Sequence, residues 1–322
     1  MHYYFRNSLL IIFLSISYQG FSQSKNYKNE LGFKSENDSY LAMGLDRYYT
    51  NGLFIYFRSA MKPKQHQDST NFTKKIWSAS IGQYLYNAQS GAVPNINYVD
   101  RPFAAYLYAE GAYQILKKNE NSLKLSFQVG TIGPSALGKQ AQELIHKTFG
   151  FYEINGWQYQ VNDELGFNGI LNLHYLLQRA KNKQTDFSLP IQAELGNTFT
   201  GLKAGILFRA GILNPLYHSM ATNSNVSTFN EGNLNNQEFY FFLKPSLSLV
   251  VYDATIRGGL FRSDKGPVTY NSTPLVFSQE IGVAYAKNRW TVDFSVIFQT
   301  KTEKYMEKSA QYGSLDLYYR FH

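Results

Sequence analysis

Apolar and polar side chains alternate with period two along most of this chain, and no long apolar run interrupts the pattern outside the first two dozen residues. Leu123, Leu125, Phe127 and Val129 alternate with Lys124, Ser126, Gln128 and Gly130. Phe187, Leu189, Ile191, Ala193 and Leu195 do the same, as do Trp290, Val292, Phe294, Val296 and Phe298, and finally Leu315, Leu317, Tyr319 and Phe321. Period two places successive side chains on opposite faces of a strand. Each strand therefore carries one face suited to lipid and one suited to a polar interior. The mean hydropathy of −0.34 and the absence of a long apolar segment in the body of the chain exclude transmembrane helices there.

Periodic segments lie near 28–37, 49–60, 74–86, 103–117, 122–132, 161–179, 185–197, 202–213, 237–252, 275–286, 289–300 and 310–321. About twelve strands is an even number, as single-chain outer-membrane barrels require. A soluble β-sandwich would alternate too. Strands of roughly ten residues, aromatic residues near strand ends and a last strand closing on Phe321 favour the barrel, the last feature being the signal read by the barrel-assembly machinery. The 26 Tyr, 24 Phe and 24 Gly suit aromatic girdles and a relieved barrel interior, and the lack of Cys excludes disulfides and thiolate metal sites. The expected fold is all-β, a transmembrane antiparallel β-barrel with a short α-helix in its third extracellular loop.

The N-terminus carries Arg6, an apolar run from Leu9 to Ile16, and small residues Gly20 and Ser22 at signal-peptidase spacing. Residues 1–22 are expected to be an export signal and 23–322 the barrel. The formal net charge of +8 fits a surface facing anionic lipid phosphate. No nucleic-acid partner is expected, and the barrel is expected to be a monomer.

With both termini in the periplasm, the odd-numbered connections, including 38–48, 87–102 and 133–160, share the extracellular rim. In the third of these the period changes: Leu137, Ala141, Leu144, Ile145 and Thr148 recur at helical spacing, with Ser135 placed to cap the start and Gly150 the end. That stripe is expected to dock the helix. The Asn- and Ser-rich stretch 222–236 reads as a long periplasmic connection.

Three polar clusters stand on this rim. The first is Glu36-Asn37-Asp38 with Asp46-Arg47-Tyr48-Tyr49-Thr50-Asn51-Gly52, whose hard oxygens suit calcium better than zinc, although Asn, Asp and Gly are also ordinary turn residues. The second is Asp100-Arg101-Pro102-Phe103-Ala104, where Arg101 is placed either to hold a phosphate or to pair with a carboxylate of the wall. The third comprises Gly133-Pro134-Ser135, Gln142, His146, Gly150, Glu153 and Gly156-Trp157-Gln158. Gln142 and His146, four apart, share a helical face, and a histidine there can serve as a general base. A lone histidine on a surface loop is more often inert; His66, His174 and His218 take that reading, His174 as a lumen residue.

In order and spacing these blocks resemble the outer-membrane lipid A 3′-O-deacylase family over the mature chain from about residue 29 onward. The resemblance implies a twelve-stranded barrel that removes the 3′-linked acyl chains of lipid A by Ca2+-dependent ester hydrolysis at the extracellular rim. On the family pattern Asn37 and Asp38 match the metal pair, Thr50 the hydroxyl facing it, and Gln142 and His146 the helix pair with the histidine as base. Glu153 is the nearest match to the carboxylate that supports the histidine, one residue later than the pattern. The sequence also departs from it at Ser39, where a second aspartate occurs, and at Tyr98, where a lysine can precede the Asp-Arg pair. Lipid A or lipopolysaccharide is then the substrate, Arg101 and Thr50 its contacts, and outer-membrane lipid the surroundings. The competing readings are an outer-membrane phospholipase with a hydroxyl nucleophile, for which Thr148 is the candidate, and a non-enzymatic channel or structural barrel.

Overall fold

The computed structural model describes residues 26–41, 46–62 and 73–322. The export-signal assignment lies outside the described residues. Strands β1 (Asn29–Asn37), β2 (Tyr49–Ala60), β3 (Thr73–Tyr86), β4 (Ala104–Lys117), β5 (Ser122–Ile132), β6 (Glu164–Arg179) and β7 (Thr185–Gly196) pair each with the next. The sheet continues through β8 (Phe199–Gly205), β9 (Leu207–Ile212), β10 (Gln237–Asp253), β11 (Leu275–Lys287), β12 (Trp290–Gln299) and β13 (Ala310–Phe321). Pairing of β13 with β1, from Asn29 opposite Phe321 to Asn37 opposite Gly313, closes an antiparallel barrel. Among the described residues no helix is long and apolar enough to cross a membrane.

The barrel has twelve staves, because β8 and β9 are halves of one strand lying between β7 and β10. The sequence reading gave this stave as 202–213 without a break. The ladder fails at Ile206, which donates its N–H to the Pro245 carbonyl at 3.0 Å and receives nothing back, since proline has no N–H.

Burial follows the alternation with the sign reversed from a soluble protein. On β5, Leu125, Phe127 and Val129 are exposed while Ser126 and Gln128 are buried; on β13, Leu315, Leu317 and Tyr319 are exposed while Asp316 and Arg320 are buried. Water-exposed rows of such side chains would be untenable over a whole barrel, and lipid is the solvent that removes the penalty. Inside, polar groups pair: Arg58 with Glu30 at 2.6 Å, Lys124 with Glu110 at 3.1 Å, and Lys244 with Glu280. They surround a polar cavity of about 370 Å³.

That cavity is capped at both ends. Toward the extracellular side, Phe54, Tyr84, Tyr106 and Tyr108 of three neighbouring strands form an aromatic layer that reaches across to Phe199, with Tyr106 and Phe199 ring centroids 5.4 Å apart. At the periplasmic end the 213–236 segment folds into the mouth instead of hanging free as a connection. Buried Lys74 draws it in, donating to the Tyr217 and Ser224 carbonyls at 3.0 and 2.5 Å and pairing with Glu231 at 2.7 Å. Gln114 binds the Thr222 carbonyl at 2.9 Å, and Val226 packs with Ala60, Ile76 and Leu116.

The extracellular connections interlock on the opposite rim. Tyr48 donates to Asp100 at 2.7 Å, the Glu307 N–H to the same carboxylate at 3.1 Å, and Tyr270 to the Val99 carbonyl at 2.7 Å. These bonds join four loops that are remote in sequence.

Candidate active site on the outer face of the wall

The third loop places helix α1 (Gly138–Phe149) against the outside of the barrel. Its start departs from the sequence reading. Pro134–Ala136 forms a 3-10 turn, Leu137 adopts a left-handed φ of 58°, and the helix begins only after it, with no side-chain cap from Ser135. Gly150 ends the helix at φ 70°, as expected.

The docking face is also different from the expected stripe. Gly138, Gln142 and His146, spaced four apart, are buried, whereas Leu137 and Leu144 are exposed. A Cβ on residue 138 would come within 2.4 Å of Trp157 and 2.5 Å of Ala105, so glycine lets the helix close onto the wall. The helix turns its polar face inward because a hydrogen bond from later in the same loop meets it there: Trp157 Nε1 donates to Gln142 Oε1 at 2.8 Å. The other amide atom, Gln142 Nε2, is buried with no hydrogen-bond partner.

His146 sits between two acceptors. Its Nδ1 donates to the Tyr152 carbonyl at 2.7 Å, and its Nε2 lies 3.0 Å from Asp46 Oδ2 in the first loop. The ring is thus oriented by backbone on one side, leaving Nε2 to face the first loop. Because Nδ1 is spent on the Tyr152 carbonyl, Nε2 is the nitrogen left to exchange a proton, and Asp46 lies against it. Glu153 is exposed, and the place expected for its carboxylate is held by the preceding residue's carbonyl. Asp46, which sequence reasoning did not assign a role, supplies the carboxylate that meets the ring.

Asn37 and Asn51 face each other across β1 and β2, with Asn37 donating to Asn51 Oδ1. Between β2 and β3 the register shifts from Tyr49 to Asn51, which leaves Thr50 on a bulge, fully buried, where its hydroxyl accepts from Asn51 Nδ2 at 3.1 Å. Asp38 follows in a short 3-10 turn. Its Oδ2 accepts from the Arg47 N–H at 3.0 Å, while Oδ1 is buried with no partner. Burial, with the negative charge of Asp46 adding to it, pushes the Asp38 carboxyl up to about 7. A buried carboxylate oxygen without a donor fits a hard cation. Among the described residues no three His, Asp or Glu side chains gather around a metal position, so such a cation would need the neutral oxygens of Asn37 and Thr50 besides Asp38.

Arg101 lies apart from this group. Its guanidinium is buried, donating to Thr255 Oγ1 at 2.8 Å and to the Pro102 carbonyl at 3.1 Å, and stacks 4.1 Å from the Tyr86 ring centroid. Burial lowers its affinity for its proton, opposed by Asp253. Those contacts brace the rim, and burial keeps the guanidinium from a phosphate at the surface. Thr148 gives its hydroxyl to the Leu144 carbonyl at 2.7 Å on the exposed side of the helix, away from His146.

Parity settles which side of the wall carries the site. Phe33 faces lipid, and Ser35 and Asn37 continue the same row; Leu53 opposite Ser35, and Asn51 opposite Asn37, extend it onto β2. On β3 the row from Ile81 through Gln83 reaches Leu85, which pairs with Ala105 beneath α1, and Gln83 donates to the Ala136 carbonyl at 2.6 Å. The helix and first loop therefore cover the membrane-facing surface at the outer rim. The family model described as "Outer membrane protein LpxR" matches residues 9–321. The chain belongs to the LpxR family. This is the lipid A 3′-deacylase family that the three sequence blocks resemble, and the chain is an outer-membrane barrel of the same kind. The solved structure of LpxR from Salmonella typhimurium aligns with a TM-score of 0.69 at 20% identity, covering 91% of this chain and 100% of that one. The beta domain of the Bordetella autotransporter BrkA aligns at a TM-score of 0.46 and 9% identity, over 92% and 99% of the two chains. A comparison with curated protein sequences finds no match.

Proposed function

We propose that this LpxR-family protein hydrolyses the 3′-linked acyl esters of lipid A from the outer leaflet, with a water activated by His146 as nucleophile and Ca2+ as cofactor. The observation that carries the reading is His146, fixed through Nδ1 and turned toward Asp46 of the first loop on the lipid-facing side of the wall, where a lipid reaches it without entering the lumen.

His146 Nε2 takes a proton from water as the water oxygen bonds to the ester carbonyl carbon. The tetrahedral adduct then collapses with cleavage of the bond to the sugar oxygen, His146 returning the proton to that oxygen, so that the sugar leaves as the hydroxyl and the acyl group as the fatty acid. Tyr152 holds the ring through its carbonyl. Gln142, anchored by Trp157, keeps Nε2 of its amide buried and unpaired, ready to donate to an oxygen of the adduct. Asn37, Asp38 and Thr50 are the residues that would hold a calcium ion, which when bound would supply positive charge for the developing oxyanion.

The test is mass spectrometry of lipid A incubated with the purified protein in detergent and calcium. Loss of 3′-linked acyl mass is expected, and an unchanged lipid A spectrum would overturn the proposal. The capped lumen and the Thr148 hydroxyl bonded into its own helix give the channel and hydroxyl-nucleophile readings no support.

A further inference from the structure

The outer face of the wall carries a second recess on the far side of the first loop from His146. It encloses about 330 Å³ between the first loop and the 300–309 connection, over β11 to β13. Its lining combines two chemistries. Phe277 and Phe298 are both exposed on the lipid-facing row, where Phe298 pairs with Gln311 of β13. Arg47 and Lys308 stand above them, and Asp38 forms the edge shared with the site just described. Lys308 is exposed, and no hydrogen bond or ion pair of its ammonium is present among the described residues; Arg47 spends only Nε, on the Gln89 carbonyl at 3.1 Å.

An apolar floor at the level where acyl chains begin, with two cations above it, complements an amphiphile that is anionic at its head. A detached phosphate would make no use of the phenylalanines, and an uncharged lipid would leave the cations unmatched. We infer that this recess is a recognition subsite for the part of the substrate that is not cleaved, seating an acyl chain on Phe277 and Phe298 and the phosphate of the glycolipid head on Lys308 and Arg47. The assignment rests on the hydrolase reading above. It makes Asp38 and Arg47 a partition, with the scissile ester on the α1 side of Asp38 and the phosphorylated end of the same molecule on the β11–β13 side. It also gives this chain a phosphate contact in place of Arg101, whose guanidinium is committed to Thr255 and Pro102.

The test compares lipid A that carries both phosphates with the monophosphoryl form, in the same detergent micelles, by kcat/KM. Wild-type protein is expected to prefer the diphosphoryl lipid. Lys308→Gln should reduce that preference roughly two- to fivefold, the scale of an exposed ion pair, and Lys308→Glu should reduce it further. Phe298→Gln should raise KM for both lipids alike. Lys183→Gln, in the turn between β6 and β7 at the opposite rim, should keep the wild-type preference. Equal rates on the two lipids by wild-type protein, or a full preference retained by Lys308→Glu, overturns the subsite. Binding of the two lipids to His146→Ala protein, followed by intrinsic fluorescence, separates this from the hydrolase reading. If wild-type protein cleaves neither lipid, hydrolysis fails, while a phosphate preference in binding that Lys308→Glu abolishes still upholds the subsite, and its absence removes it.

Discussion

Replacing His146 by alanine separates chemistry from architecture at one residue. The ring makes two polar contacts, Nδ1 to the Tyr152 carbonyl of its own loop at 2.7 Å and Nε2 to Asp46 of the first loop at 3.0 Å, both beyond the strand ladder. A hydrogen bond contributes about 1 kcal/mol net, so the loss loosens the helix against the first loop but leaves every strand pairing in place. Expression, membrane assembly and heat-modifiable migration should match wild type. Turnover should not, because removal of a general base costs about 10²–10⁴ in rate, or about 3–5 kcal/mol of transition-state stabilisation. The assay is a time course of lipid A deacylation by mass spectrometry, with calcium saturating so that a weakened metal site cannot mimic the loss. His174→Ala is the matched control: that ring is buried in the lumen against Ser188 Oγ at 2.8 Å and should give wild-type rates. Wild-type turnover by His146→Ala would refute the mechanism, and a deficit confined to His174→Ala would move the chemistry into the barrel.

Gln142→Ala should lower turnover by less than His146→Ala at equal calcium, since it removes a donor and not the base; a rate equal to wild type would deprive the unpaired amide of its role. Glu153→Gln should stay within about twofold of wild type, because its side chain is exposed and the Tyr152 carbonyl orients the ring; a loss comparable to His146→Ala would restore the carboxylate role implied by resemblance. Excess chelator should abolish hydrolysis and calcium, not zinc, should restore it, with full activity in chelator as the contrary result. The raised Asp38 carboxyl adds a pH dependence. It carries its charge only above about 7, so the calcium concentration for half-maximal activity should rise about tenfold per pH unit below that point, and equal values at pH 6 and pH 8 would contradict the assignment.

The strands were legible because a barrel wall enforces one rule on every residue. Leu125, Phe127 and Val129 must meet lipid and Ser126 and Gln128 must not, and the sequence has no freedom to blur that. The break at Ile206 was hidden because its cause, Pro245, lies on another strand and acts only through register. Helix α1 was found from its period but oriented wrongly. The expected stripe assumed that apolar residues pack inward, and at a membrane surface the outward side of a helix is equally free to be apolar, so the buried face became Gly138, Gln142 and His146. The site itself was half legible. Residue types identified His146 and Asp38, but nothing local marks Asp46 as the partner of a histidine one hundred positions later, since loops carry no period and meet only once the barrel closes. Arg101 shows the reverse difficulty: an arginine bracing a rim and an arginine holding a ligand have the same sequence signature, and only the Thr255, Pro102 and Tyr86 contacts tell them apart.

The tyrosine layer and the 213–236 plug have a meaning for the cell that wears this protein. An outer membrane is valuable because it keeps bile salts, dyes and bulky antibiotics out, and each open barrel added to it erodes that defence. A barrel filled by aromatic rings toward one mouth and by a lysine-drawn segment at the other is expected to add little to leakage. Raising its copy number should then leave the entry of bulky antibiotics unchanged, which uptake by cells with and without the protein checks.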